Sequence, residues 1–291
     1  MGILSSWRKK KKAKIGPWLH DPEFERLNFY YWQYRCLKPF YSWKNKYLKL
    51  DCIQKALKKK LFEKTIQEIA EYTGESEDIV FQKYRDGERS EKNYEMFKNQ
   101  ENLSKEQIED FYKTCRFYIY ELPLWNAQRN RPKFIYRMMK PYLLKYGCHK
   151  ILDFGGGTGD LCIEFARNNL DMSYCDIGQQ VYEFASWRFQ RRKLNIRMEK
   201  DARVFEEASF DAITSFDCFE HIKGFEEVVN QLKVLLRKGG IFATSEAFAG
   251  DGLHLKENHR YTNFENFDCF MRGLGFRLVG RLAQYFCYEK M

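Results

Sequence analysis

Residues 151–160 read ILDFGGGTGD, from Ile151 to Asp160. Apolar Ile151 and Leu152 lead into Asp153, then Gly155, Gly156, Gly157 and Gly159 crowd a single turn, and LCIEFARN (161–168) follows with helical patterning. Buried strand, glycine turn and helix in that order open a nucleotide-binding βα unit. Glycine serves there because the backbone must turn tightly and meet a ligand without a Cβ in the way. Asp153 precedes the turn where the dinucleotide fingerprint would open on glycine, and no Gly-Lys-Ser/Thr follows, which excludes a P-loop.

Outward from this turn, strand and helix patterns alternate. Strand one is Lys150–Phe154, with its helix at about 159–168. Strand two, MSYCD, ends at Asp176, 21 residues after Gly155, a distance at which a carboxylate suits ribose hydroxyls. Strand three spans about Ile196–Lys200 and is followed by Asp201 and Ala202. Strand four, Asp211–Phe216, lies in FDAITSFDCFEHI, which sets Asp217, Glu220 and His221 at the C-terminal sheet edge where open α/β folds hold ligands. A helix at Phe225–Leu236 is expected to stop at Arg237-Lys238-Gly239-Gly240, with the two cations supporting its end. Strand five, Ile241–Ser245, closes on Glu246, and AFAGDGLHLKENHRYT (247–262) brings His254, His259 and Tyr261. A helix from Asn263 to Arg272, a strand at Phe276–Gly280 and another at Gln284–Glu289 complete an α/β pattern with a mostly parallel sheet.

The run hydrophobic-hydrophobic-Asp-x-Gly-x-Gly-x-Gly resembles motif I of the class I S-adenosylmethionine-dependent methyltransferases, and the later segments arrive in that family's order across Lys150–Met291. The segment FDCFEH is similar to that of ubiquinone-biosynthesis-type O-methyltransferases. The resemblance implies a Rossmann-like sheet with a reversed edge strand, and S-adenosylmethionine as cofactor. It puts Asp153, Gly155, Gly156, Gly157 and Gly159 at the cofactor, Asp176 with Ile177 at its ribose, Asp201 and Ala202 at its adenine, and Phe216 and Asp217 beside the sulfonium. Glu220, Glu246 and Tyr261 would border the acceptor. Segments just before the glycine turn often fold over the cofactor in this family, which makes Tyr120, Trp125 and Arg129 lid candidates, unless they only join two domains. Methyl transfer is an in-line displacement that relies on proximity. A base is needed when the acceptor is a hydroxyl or a protonated amine, and histidine suits that work. His221, His254 and His259 are the candidates, with His259 favoured because a loop histidine near Tyr261 has less reason to be core.

The first half of the chain is of another kind. Residues 1–60 hold 16 Lys/Arg against 4 Asp/Glu, a net of +12 against +10 for the whole chain, so residues 61–291 together carry −2. Six of the seven residues from Arg8 to Lys14 are basic and stand beside Trp7. Such a tail can be merely solvated, or can meet an anionic membrane surface or nucleic acid through residues 7–14. Aromatics crowd Pro17–Leu50 at partly helical spacing, which favours core packing over base stacking. Thr65–Val80 resembles a helix-turn-helix, but Glu75, Glu77 and Asp78 would face DNA with the wrong charge, and a helical hairpin suffices. Ser104 and Gln107 form a capping box for a helix running toward Glu121, which Pro123 is expected to stop. LPLWNAQRNRPK (122–133) reads as a loop, and Lys133–Tyr146 as a helix ended by Gly147.

These readings divide the chain into a basic flexible tail (1–16), a mainly helical domain that caps the site or binds a partner (17–146), and a methyltransferase domain (147–291). Nine scattered cysteines without a Cys-x-x-Cys pair fit reduced thiols in a cytoplasm rather than a disulfide frame or a zinc site, and no metal is expected. No apolar run reaches the ~18 residues of a transmembrane helix, so the expected location is cytoplasmic, with peripheral membrane contact through the tail. The implied reaction is O-methylation of a small or lipid-linked metabolite. An RNA or protein methyltransferase with a polyanion-binding arm, and a non-catalytic binding module, are the alternatives.

Overall fold

The computed structural model describes residues 50–87, 103–245, 248, 254–282 and 284–291. The basic tail and the aromatic segment 17–49 lie outside the described residues, as does Glu246. Among the described residues, seven strands form one sheet: β1 Lys150–Phe154, β2 Asp171–Cys175, β3 Arg197–Glu199, β4 Phe210–Phe216, β5 Leu236–Ser245, β6 Phe276–Leu282 and β7 Tyr285–Lys290. Their order is β3-β2-β1-β4-β5-β7-β6. Strands β3 to β5 pair in parallel, and β7 runs antiparallel to both β5 and β6, so the reversed strand stands at that end of the sheet.

Successive strand residues point to opposite faces, and both faces are covered. Ile151, Ala212 and Ile241 pack with Met139 and Leu143, Phe165, and Phe189 on one side. Those partners come from helices α5 (Arg131–Lys145), α6 (Asp160–Ala166) and α7 (Gln179–Arg191). Leu152, Ile213 and Phe242 pack on the other side with Phe225, Val229 and Leu232 of α8 (Phe225–Leu235) and Phe267 and Met271 of α9 (Phe264–Gly273). Near-continuous apolar runs in the central strands follow from burial on both faces.

Helix α8 ends at Leu235, and Arg237, expected at a helix stop, belongs to β5. Its Nε donates to Asp211 Oδ1 at 2.7 Å while the other Asp211 oxygen accepts from the His149 and Lys150 amides at 2.9 and 2.8 Å. Asp211 thereby pins the entry to β1 against β4 and β5. The Arg237 and Lys150 partners hold its carboxyl below the usual range despite burial.

Among the described residues, four further helices precede α5. α1 (Leu50–Thr73) and α2 (Glu77–Asp86) form the expected hairpin, turning at Gly74 (φ 73°) with Ser76 capping α2. The Ser104–Gln107 capping box opens α3 (Lys105–Thr114). The helix does not run on to Glu121: Cys115 is extended, and burying both Cys115 and Phe117 against Ile108 and Phe111 turns the chain back. A new helix, α4, spans Tyr118–Arg129 with Pro123 inside it. The stretch expected as a loop is therefore helical. Proline removes one donor, but α4 begins with short-range bonds (Tyr120 N to Phe117 O, 2.9 Å) and runs through it. Asn130 in the left-handed region separates α4 from α5, which starts with Pro132 in its first turn.

Ile66 and Ile69 of α1, Val80 of α2 and Ile119 and Leu124 of α4 pack with Val181 and Phe184 of α7. Arg188 on α7, 5% exposed, donates to Thr158 O (2.6 Å) and Asp160 Oδ1 (2.9 Å) and lies 3.3 Å from Glu68 of α1. One buried guanidinium thus joins the first helix to the segment that follows the glycine turn. None of the described helices is long and apolar enough to cross a membrane.

Candidate functional site

The glycine turn is built by its neighbours. Gly155 and Gly156 donate their amides to Cys175 O at 2.8 and 3.2 Å, and Tyr174 donates its hydroxyl to Gly157 O at 2.6 Å. Gly155 has φ 68°, and a Cβ there would stand 2.3 Å from Cys218 Sγ; Gly157 has φ 51°, and a Cβ there would stand 2.9 Å from a Leu122 methyl. Both positions need left-handed backbone and bare space, which only glycine supplies without strain. Asp176, just past β2, accepts from Gly157 N through Oδ2 and from Gly178 N through Oδ1, each at 2.8 Å. Burial raises its carboxyl above the ordinary value against those two amides. Two of the roughly four acceptor sites of a carboxylate are then in use, which leaves capacity for a diol. The turn and Asp176 thus fit an adenosine-bearing cofactor: bare backbone at the turn, and an oriented carboxylate where a ribose would lie.

Asp153 is almost fully buried beneath the turn. Thr214 Oγ1 donates to its Oδ1 at 2.7 Å and Cys162 Sγ to its Oδ2 at 3.6 Å. Burial pushes its carboxyl up to about 7 in spite of these donors.

The turn opens into a cavity of about 360 Å³, within the span of about 300–1,000 Å³ usual for small-molecule sites. Helix α4 forms one wall with Tyr118, Glu121, Leu122, Trp125 and Asn126, residues that share a face at helical spacing. Next to this wall the lining is polar. Arg131 at the start of α5 donates through Nη2 to Asp217 Oδ2 (2.7 Å), and Ser245 Oγ donates to Asp217 Oδ1 (2.9 Å). Asp217 holds φ 53°, a conformation rare outside glycine and tolerated by aspartate, directly after β4. Burial raises its carboxyl; Arg131 opposes this and Glu220 adds to it.

Beside this pair, Glu220, His221 and His254 each bring one nitrogen or oxygen donor within 4.8 Å of the others. Glu220 is fully buried on the 3-10 turn Phe219–His221. Leu255 donates its amide to Glu220 O (2.9 Å), and Asn258 Nδ2 donates to Phe219 O and Ile222 O (3.1 Å each), so His254 is clamped to the same turn. Tyr112 OH lies 3.0 Å from His221 Nδ1.

Of the residues expected from sequence, the cavity gathers Asp153, Gly155, Gly156, Gly157, Phe216, Asp217, Glu220, His221, His254 and Trp125. The others stand elsewhere. Gly159 caps α6 behind the turn, facing Phe189. Ile177 is exposed beside Asp176. Asp201 caps the 3-10 helix Ala202–Val204 and holds Arg203 in a two-pronged ion pair (Nη2 to Oδ2, 2.7 Å), while Ala202 packs at the edge of the sheet's second core. Tyr120 turns away from the cavity: its hydroxyl donates to Glu75 Oε2 and accepts from Lys83 Nζ, both at 3.0 Å, because a helix puts it on the face opposite Trp125. Arg129 is exposed over the Trp125 ring, 4.4 Å from its centroid. His259, favoured as base from sequence, is exposed on the 3-10 helix Lys256–Thr262 and does not border the cavity. Tyr261 donates to Glu226 and packs its ring against Phe225 and Phe248.

Sequence reasoning missed Arg131, Leu122 and Asn126 as wall residues. Recognising α4 as a helix would have found them, since they sit one turn apart on the face of Trp125 or just past its end.

Residues 152–242 match a family model described as a methyltransferase domain. No curated protein matches the sequence. Among solved structures, a SAM-dependent methyltransferase from Aquifex aeolicus is similar at 13% identity over 55% of this chain and 98% of that one, with a TM-score of 0.43. A protein from Pyrococcus horikoshii shows 16% identity over 55% of this chain and 91% of that one, TM-score 0.45. A Haemonchus contortus phosphoethanolamine N-methyltransferase in complex with S-adenosylhomocysteine shows 23% identity over 48% and 37%, TM-score 0.40. The matched segment, about a third of the chain, carries the glycine turn, Asp176 and most of the strands that frame the cavity, and it identifies a methyltransferase domain here, with S-adenosylmethionine as its cofactor.

Proposed function

We propose that this methyltransferase acts on a hydroxyl oxygen of a small or lipid-linked metabolite. One observation carries the reading: the glycine turn and the Glu220, His221 and His254 donors line the same cavity. S-adenosylmethionine, when bound, supplies a methyl group on a positively charged sulfur. The chain's own groups then have three tasks. Asp176 and the Gly155–Gly157 backbone hold the ribose and bring the cofactor against β1 and β4. Leu122 and Trp125 of α4 cover the cavity and exclude water, while Arg131, already turned inward on Asp217, offers a cation to the cofactor's carboxylate. The cluster at Glu220 receives the acceptor and handles its proton, a need that a hydroxyl has and a thioether or neutral amine lacks. Proximity inside such an enclosure accounts for many kcal/mol of a displacement barrier, about 7–11 in favourable cases.

The cavity's small-molecule size supports a metabolite over a macromolecular acceptor. The basic tail would bring the enzyme to an anionic surface carrying a lipid-linked acceptor, at about 1 kcal/mol per basic residue near such lipid. The test is a screen with methyl-labelled cofactor over phenols, aliphatic alcohols, amines, protein and RNA. Label in an alkali-stable ether of a small acceptor supports the reading; label confined to RNA, protein or nitrogen overturns it.

A further inference from the structure

We propose that Glu220, His221 and His254 bind a divalent transition-metal ion in the cavity wall, and that this ion holds the acceptor. The role assigned to the ion rests on the hydroxyl-methylation reading; the binding site itself does not.

Two imidazoles and one carboxylate form a recurring donor set for zinc and non-haem iron when they leave coordination positions open. Here the three donor atoms lie within 4.8 Å of one another. Small side-chain rotations bring such a set to the about 2.0–2.2 Å that nitrogen and oxygen keep from these ions. The scaffold is rigid where it matters. Glu220 and His221 are consecutive on one short turn, and the Leu255–Glu220 backbone bond fixes the loop carrying His254 against that turn. Asn258, 2% exposed, ties the same loop down with two further bonds. Tyr112 bonds the His221 ring from α3, as outer partners of metal-bound histidines do. Asp217 stays outside the set because Arg131 and Ser245 hold both its oxygens.

The cluster also faces the right space, since all three residues border the cavity that contains the glycine turn. Three protein donors leave at least one coordination position for an acceptor oxygen. A hydroxyl held there loses its proton to solvent more readily. Its lone pair then forms the O–C bond, while the C–S bond pair stays on sulfur and the thioether departs. No histidine need act as base.

The experiment uses the untagged full-length chain, stripped with chelator and titrated with Co²⁺ and Zn²⁺ by calorimetry and visible absorption. One ion per chain is expected, with cobalt d–d bands of low coordination number. Glu220→Gln, His221→Ala and His254→Ala should each weaken binding at least tenfold, and Tyr112→Phe less so. His259→Ala, outside the cluster, should bind as the wild type does. A retained thermal shift with S-adenosylhomocysteine confirms that each variant folds. A wild type that takes up no ion at millimolar concentration, or a His259→Ala loss equal to that of His254→Ala, overturns the site. The two proposals fail separately. If an ion binds but no hydroxyl is methylated, the acceptor reading falls. If hydroxyl methylation persists undiminished in excess chelator, the ion falls and the acceptor reading stands.

Discussion

Arg131 Nη2 stands 2.7 Å from Asp217 Oδ2, joining the first turn of α5 to the residue directly after β4. The two side chains are 12% and 27% exposed, so this is a mostly desolvated pair in the lining of the cavity. Removing one partner of a buried pair leaves the other charge uncompensated, at about 3–5 kcal/mol; the partial exposure of Asp217 brings the expectation down to roughly 1–3 kcal/mol. Arg131→Ala should lower the urea midpoint accordingly. Arg131→Ala with Asp217→Asn should recover part of the loss, because the orphaned carboxylate is gone. Equal destabilisation in the single and double variants would show that the pair carries no coupling.

Asp176 gives the plainest test of the cofactor site. With ligand at 100 times its dissociation constant, native-state binding adds about 2.7 kcal/mol of stability. S-adenosylhomocysteine should therefore shift the wild-type melting temperature upward by several degrees. Asp176→Ala removes the carboxylate proposed to hold the ribose and frees the Gly157 and Gly178 amides it now holds. The shift should shrink to near zero at the same ligand concentration, with the unliganded variant still melting cooperatively. Gly157→Ala is less clean, since φ 51° strains any side chain whatever the space. An undiminished shift in Asp176→Ala would place the cofactor elsewhere.

Asp153 makes stability depend on pH in a direction that can be worked out. Its carboxyl is raised from 3.8 to about 7 by burial, so the folded state binds a proton the unfolded state has released. Stability falls with rising pH wherever the native state holds more protons. The contribution is complete below the unfolded value, declines as pH rises from about 4 through about 7, and is gone above. Each pH unit inside the window is worth about 1.4 kcal/mol. Asp153→Asn cannot ionise, so the wild type should lose about 2–3 kcal/mol relative to this variant between pH 5 and 8. Chemical denaturation at four pH values measures it, and parallel curves would mean that Asp153 does not titrate in this window.

The sheet was legible because its signals are local and redundant. Ile151, Leu152, Ile213 and Ile241 sit in short apolar runs between glycines and acidic turn residues, and each run is a strand. The glycine turn, Asp176 and the FDCFEH segment follow from that register. The helical cover was less legible. Pro123 and the polar stretch after it read as a loop, but burial of Ile119 and Leu124 against α1 outweighs one missing backbone donor. That misreading put Tyr120 in the lid and left Arg131 and Leu122 out. His259 and His254 lie five residues apart in one loop, and nothing in their spacing tells which faces the cavity. The Leu255–Glu220 bond decides it, and such long-range bonds have no sequence signature.

Tyr120 and Trp125 are neighbours on α4 with opposite prospects. Tyr120 bonds Glu75 and Lys83, and those two remain paired with each other when its hydroxyl is removed. Tyr120→Phe should cost about 0.5–1.5 kcal/mol of stability, the net worth of one hydrogen bond, and leave S-adenosylhomocysteine affinity within a factor of two. Trp125 lines the cavity and carries Arg131 over its ring at 4.8 Å. Trp125→Ala opens the wall and releases Arg131 from one of its constraints. Affinity for S-adenosylhomocysteine should fall by about tenfold or more, equivalent to about 1.4 kcal/mol, with a smaller change in melting temperature than the loss of a core aromatic brings. Calorimetric titration of the two variants side by side decides the matter. If both bind as the wild type does, α4 is only a brace between the helices and the sheet, and the cover must come from another segment.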